Sequence, residues 1–193
     1  MIRLLLFSAL AIVILSCENQ PKEYVPGMAF ERQIKEEIGS LNNSLRKESY
    51  LLYINRLDKE PRTQEEKVLE NFGYESEEYK TIKEKISRTD IENLLRVEYY
   101  LEKYGYPDAD SIGGLAVVTP IFILQHSPLY EKRVSYFDMI YNAYLDKDIE
   151  ADLLVIYLDG LHQLKFNEFL KIDGPYQPIE KVDVLLEKLE LKK

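Results

Sequence analysis

The chain has 193 residues, with 34 acidic against 25 basic side chains and a formal net charge of −9 at pH 7. That balance argues against nucleic-acid binding, which needs a basic face for the phosphates, and against docking on anionic lipid headgroups through protein charge. A single cysteine excludes an internal disulfide.

Residues 1–17 read MIRLLLFSALAIVILSC. Arg3 supplies a positive start, and Leu4 to Leu15 form an apolar run broken only by Ser8. The run is about 12 residues, short of the roughly 20 that span a bilayer, and has the pattern of a secretory signal peptide. It closes on Ile14-Leu15-Ser16-Cys17, which resembles the lipobox of bacterial lipoproteins. The resemblance implies cleavage before Cys17 and lipid on its thiol and new α-amine. Two or three acyl chains, each buried CH₂ contributing about 0.8 kcal/mol, would anchor the chain almost permanently. The expected place is the bacterial cell envelope, lipid-anchored and periplasmic or surface-facing. Removing residues 1–16 takes away one positive charge, Arg3, so the net charge moves from −9 to −10. Residues 17–28 then read as a lipidated tether, polar with two prolines and a glycine, reaching roughly 35 Å if extended.

From Phe30 the apolar period becomes helical. Phe30, Ile34, Ile38, Leu41, Leu45 and Leu52 recur on one face. Pro61 predicts a break, followed by a capping-box start at Thr63 with Glu66 three residues on, and Gly73 is placed to end that helix. Tyr79, Ile82 and Ile86 mark a further amphipathic stretch. Thr89 or Asp90 reads as the cap of the next helix, with Ile91, Leu94, Leu95, Val97 and Leu101 on its apolar face. Tyr104-Gly105-Tyr106-Pro107 ends it, because Gly takes the left-handed conformation and Pro stops continuation. The segments at 69–74 and 101–106 are alike, either as a helical repeat or as convergent helix endings.

Asp110-Ser111 is placed to cap the most apolar segment, Ile112 to Leu124, which predicts a helix buried on all sides and kinked or split by Pro120. Pro128 opens a new helix with Val134, Phe137, Ile140, Tyr141 and Tyr144 inward. Ile149 to Leu164 predicts another, with Leu153, Leu154, Ile156, Tyr157 and Leu161 on its core face. Lys165 to Ile172 allows a strand, Asp173-Gly174-Pro175 is turn chemistry, and 179–190 reads as a closing helix. The fold class expected is mainly α: an irregular helical bundle with a small β-hairpin or irregular element near the C-terminus. By region, 1–16 is the signal peptide, 17–28 the tether, 29–88 an N-terminal helical region and 89–193 a second helical domain.

Two histidines are present, His126 and His162. His126 stands beside Gln125 at the end of the apolar segment. It reads either as a general acid/base or ligand donor or as a histidine bonded to backbone at a helix terminus. Asp146, Asp148, Glu150 and Asp152 alternate, but Ala151 and Tyr157 stand where a calcium loop needs Gly and Glu. A solvated first turn, favoured by the helix dipole, accounts for them. No His/Cys cluster supports zinc, and no nucleophile elbow, P-loop or dinucleotide fingerprint is present. No metal site and no cofactor is therefore expected. Of the fifteen tyrosines, Tyr99, Tyr100, Tyr141, Tyr144 and Tyr157 fall at core or boundary positions of helices.

Asp90 and Asn93, then Tyr104-Gly105-Tyr106-Pro107, Gly113, Ala116, Gln125-His126 and Asp159 occur in an order that resembles an uncharacterised bacterial domain family recognisable by a Gln-His helix ending. The resemblance spans about residues 90–190. It implies a site around His126 and Gln125 with Asn93, Asp159 and Asp90, but supplies no activity. The chain departs from it in carrying Asp159-Gly160 for the family's Asp-Arg, and Phe166-Asn167-Glu168-Phe169 for a Tyr-Gly-Thr-Gln-like strand. The leading expectation is a non-catalytic envelope module that binds a protein or small-molecule ligand at the membrane. The competing one is a hydrolase or transferase with His126 as acid/base, assisted by Gln125, Asn93 and Asp159.

Overall fold

Two long antiparallel helices form the spine of the molecule, and shorter helices close over them. The computed structural model describes residues 24–171 and 175–191. The expected signal peptide, the expected lipidation position Cys17, most of the expected tether, and Asp173-Gly174 of the expected turn lie outside the described residues. Among the described residues there are eight helices and no strand: α1 (Met28–Gly39), α2 (Ser44–Phe72), α3 (Glu77–Tyr104), α4 (Gly114–Leu124), α5 (Tyr130–Val134), α6 (Phe137–Leu145), α7 (Ala151–Phe166) and α8 (Pro178–Leu189). None of them is long and apolar enough to cross a membrane.

Local chemistry sets the ends of the spine. The Asn43 side chain accepts the Arg46 N–H at 2.9 Å and starts α2, and Ser76 does the same for Tyr79 at 3.0 Å in α3. Gly73 (φ 82°) and Gly105 (φ 74°) stop the two helices, each N–H bonding back four residues, to Leu69 and Leu101. The like segments at 69–74 and 101–106 are thus two helix endings of one geometry.

Several local expectations are overturned by packing. Pro61 does not break the chain: α2 runs through it, and its ring is buried. A proline forfeits one backbone bond inside a helix, but here the helix is held along its length against α3. Thr63 consequently caps nothing, and its hydroxyl donates to the Lys59 carbonyl one turn back. Asp90 is not a cap either, since α3 has already begun at Glu77 and passes through 90. Asp108, rather than Asp110-Ser111, organises the turn before α4: its carboxylate accepts from the Asp110 N–H and the Ser111 hydroxyl. Pro120 does not split α4, and the Thr119 hydroxyl is satisfied on the Leu115 carbonyl. The chain bends away at Ser40 to Asn43, so Leu45 and Leu52 leave the apolar face that Ile34 and Ile38 share and are exposed. Ile156 is likewise exposed, turned out of the core face of α7. The expected β-hairpin does not form. Helix α7 continues to Phe166, where Asn167 takes the left-handed conformation (φ 59°), and the residues to 171 bend without regular structure.

One hydrophobic core holds these elements together, running from Ile34 of α1 through Ile54 and Val97 of the spine to Leu158 of α7 and Leu185 of α8. Helix α4 is the piece driven between them, with Ala116, Ile121 and Leu124 fully buried. Helix α3 belongs to both the 29–88 and the 89–193 regions. The C-terminal end of α4 therefore opens against the middle of α2 and α3, and the polar residues at that junction make the site.

Candidate functional site

Residues four apart on a helix lie on one face, one turn above the other. On α2 this places Asp58 and Arg62 together, with Arg62 Nε donating to Asp58 Oδ1 at 3.1 Å. Arg62 also reaches across to α3, where its terminal nitrogen Nη2 donates to Asp90 Oδ1. His126 follows α4 directly, its N–H closing the last turn on the Ile123 carbonyl, and its ring is turned toward α2. His126 Nε2 lies 3.0 Å from Asp58 Oδ1. Side chains from three elements thus meet around Asp58, whose Oδ1 is approached by both a guanidinium and an imidazole.

The burial is graded. The Asp58 side chain is 10% exposed, while His126 (24%), Asp90 (23%) and Arg62 (33%) form a partly open rim. Nε2 of His126 is itself enclosed and makes no aligned hydrogen bond. Its approach to Asp58 is close in distance, but the ring does not aim an N–H at the oxygen. One donor atom each from Asp58, Asp90 and His126 lies within 4.8 Å of the other two.

The two carboxylates feel this setting in opposite ways. For Asp58, burial works against ionisation, but His126 and Arg62 outweigh it and hold the carboxyl below its usual range. For Asp90, burial dominates the attraction of His126 and Arg62, the charge on Asp58 adds to it, and the carboxyl is raised. Arg62 loses some proton affinity to burial and gains more from Asp90 and Asp58, so its guanidinium is held more firmly protonated than usual.

Of the residues expected from sequence, Asp90 and His126 come together here, whereas Gln125 and Asp159 do not join them. The Gln125 amide donates to the Ile156 carbonyl at 2.7 Å and accepts from Arg133 Nη1 at 2.5 Å, bracing α4 against α5 and α7. Gly160 makes this possible, because a Cβ there would stand 2.1 Å from Gln125 Oε1 and 2.8 Å from Arg133 Nη1. Gly160 thus leaves room that Gln125 and Arg133 fill. Asp159 is engaged on the other side of α7, paired with Lys181 of α8. Asn93 is fully buried one turn along α3 from Asp90, accepting from Arg96 Nη1 at 3.2 Å, with its Nδ2 unpartnered. His162 is remote from the cluster, its Nδ1 held 2.8 Å from the Glu168 carbonyl. In the acidic run, Asp148 accepts from the Ala109 N–H and Asp152 from the Tyr176 hydroxyl.

Sequence reasoning missed Asp58 and Arg62. The signal was present: Leu51, Ile54, Asp58 and Pro61 follow the helical period along a buried stripe, and an acid on an apolar stripe needs a partner. Treating Pro61 as a helix break placed Arg62 outside any helix and cut the stripe just after Asp58, which hid the pattern. No family model, no curated protein and no solved structure matches the chain.

Proposed function

We propose that the chain is a lipid-anchored protein of the bacterial cell envelope that binds a small polar ligand, without turning it over, at the Asp58–Arg62–Asp90–His126 centre. The observation that carries this reading is the centre itself. Four ionisable side chains from three elements meet beside the apolar core, around a buried carboxylate, with a partly open rim. Desolvating such groups costs several kcal/mol per charge, on the order of what good pairing returns, so the cluster is a poor device for stability alone. A binding site is its better account. The catalytic set expected around His126 is not assembled, since Gln125 braces helices and Asp159 pairs with Lys181. Lipid on Cys17 would hold the body close to the membrane through its short tether.

Native mass spectrometry tests the binding reading on the full-length protein drawn from bacterial membranes in mild detergent. The expected result is a mass adduct present in the native protein and lost in His126→Ala. A bare mass in both would contradict it.

One observation favours the alternative of a hydrolase or transferase. Asp58 and Asp90 are pushed in opposite directions beside a histidine, which is how acid and base roles are divided between neighbouring groups. That reading predicts turnover of p-nitrophenyl acetate or p-nitrophenyl phosphate that His126→Ala abolishes. The binding reading predicts no turnover that depends on His126.

A further inference from the structure

We infer that Asp58, Asp90 and His126 form a binding site for a first-row divalent cation such as Zn²⁺, with Arg62 as the resident positive charge that gives way to it. The inference rests on the binding reading above and names its ligand class.

Geometry is the first support. Nitrogen and oxygen ligands sit about 2.0–2.2 Å from such an ion, so two ligands of one ion stand roughly 3.0–3.5 Å apart. His126 Nε2 and Asp58 Oδ1 are already at 3.0 Å. The Asp90 oxygen lies within 4.8 Å of both, and binding would require that gap to narrow. The misalignment of His126 with Asp58 fits the same picture. A hydrogen bond would direct an N–H of the ring at the oxygen, whereas two ligands of one ion direct lone pairs at a third point between them. Nε2 is enclosed and makes no aligned hydrogen bond.

Charge is the second support. Two carboxylates, Asp58 and Asp90, face the single guanidinium of Arg62 around a largely buried oxygen. Arg62 bridges the carboxylates now, but its side chain is the most exposed of the four and can turn outward on its flexible stem. One imidazole with two carboxylates is a mixed donor set suited to first-row divalent ions, and it leaves coordination positions open for water or an incoming ligand.

Support from the surrounding structure is the third point. The donors stand on α2, α3 and the end of α4, and Gln125 next to His126 is pinned to Ile156 and Arg133. The donors are far apart in sequence, so no local ligand motif could announce them. The expectation of no metal was drawn from the lack of closely spaced His and Cys, which this arrangement does not use.

The test is calorimetric titration of ZnCl₂ into the full-length protein, purified from membranes in detergent and stripped with a chelator. The inference predicts one ion per chain with micromolar affinity or better. His126→Ala and Asp90→Asn should each weaken binding by more than the about 10–100-fold typical of outer-shell changes. Arg62→Met should tighten it several-fold, since a competing cation is removed. Asp146→Asn, on the exposed acidic run, should leave it unchanged. Because changes at Asp58 risk the fold, the inference stands on the His126, Asp90 and Arg62 variants, each checked by circular dichroism. No binding up to about 1 mM Zn²⁺, equal binding in His126→Ala, or loss in Asp146→Asn would overturn it. If Zn²⁺ fails while the native mass carries a His126-dependent adduct of another kind, the ion assignment falls and the binding reading stands. If neither is seen, both fall.

Discussion

Asp58 and Asp90 bear the same charge on facing helices, yet folding shifts them in opposite directions, and the sign of each shift fixes a prediction. A carboxyl whose folded value is depressed adds stability above its unfolded value near 3.8, and that stability is lost as pH falls through the folded value. Asp58→Asn should therefore cost about 1–3 kcal/mol at neutral pH, a cost that shrinks with acidification. A raised carboxyl does the reverse: stability declines as pH rises from about 3.8 through the folded value. Asp90→Asn should hold or slightly raise stability at neutral pH. Urea denaturation of both variants across the acid range checks the pair, and equal losses at neutral pH would contradict the assignment. Gly160 gives a second residue-scale prediction. Gly→Ala inside a helix ordinarily gains about 1 kcal/mol. Here the added Cβ would displace the Gln125 amide from two hydrogen bonds, each worth about 1 kcal/mol or more, the one to Arg133 being charge-assisted. A net loss of about 1–2 kcal/mol is expected in denaturant titration, and a gain would show that Gln125 is not the brace described. Of these residues only Gln125, His126 and Asp90 stood out in the sequence, because glycine and a mid-helix aspartate carry no local sign of what faces them.

At the scale of elements, the two glycines that end α2 and α3 hold a conformation (φ 82°, ψ 168° and φ 74°, ψ −168°) open essentially to glycine alone. Nothing lies within 4 Å of a Cβ built at either position, so the cost of substitution is backbone strain rather than collision. Gly105→Ala should lose about 1–3 kcal/mol, with Gly73→Ala similar and the two adding in the double variant, as thermal unfolding would report. Both helix endings are legible in the sequence, as are α4, α7 and α8, because each rests on periodicity or on glycine chemistry, whereas the single helix expected to open at Pro128 forms as two, α5 and α6. What was not legible came from tertiary contact. Pro61 and Pro120 sit inside helices that their neighbours hold, Thr89 and Asp90 lie in a helix that began earlier, and the stretch after Phe166 found no partner strand.

For the whole molecule, the proposed lipid anchor at Cys17 lies outside the described residues, and the proposed site is built from distant parts of the chain. Cys17→Ser should shift the protein from the membrane pellet to the soluble fraction without altering its helical content, because one lost lipidation position removes all the acyl chains together. Continued sedimentation with membranes would contradict anchoring through Cys17. The site was only half legible at this scale: His126 and Asp90 were named, but their meeting with Asp58 depends on α4 being driven between the spine and the C-terminal helices, which no local pattern announces. The contact between Asp58 and His126 is therefore the most direct thing to measure. A double-mutant cycle on unfolding free energy, with Asp58→Asn, His126→Gln and the two combined, isolates it. A coupling of about 0.5–3 kcal/mol is expected, whereas additivity within about 0.3 kcal/mol would mean the two side chains do not meet and would remove the centre on which the proposed function stands.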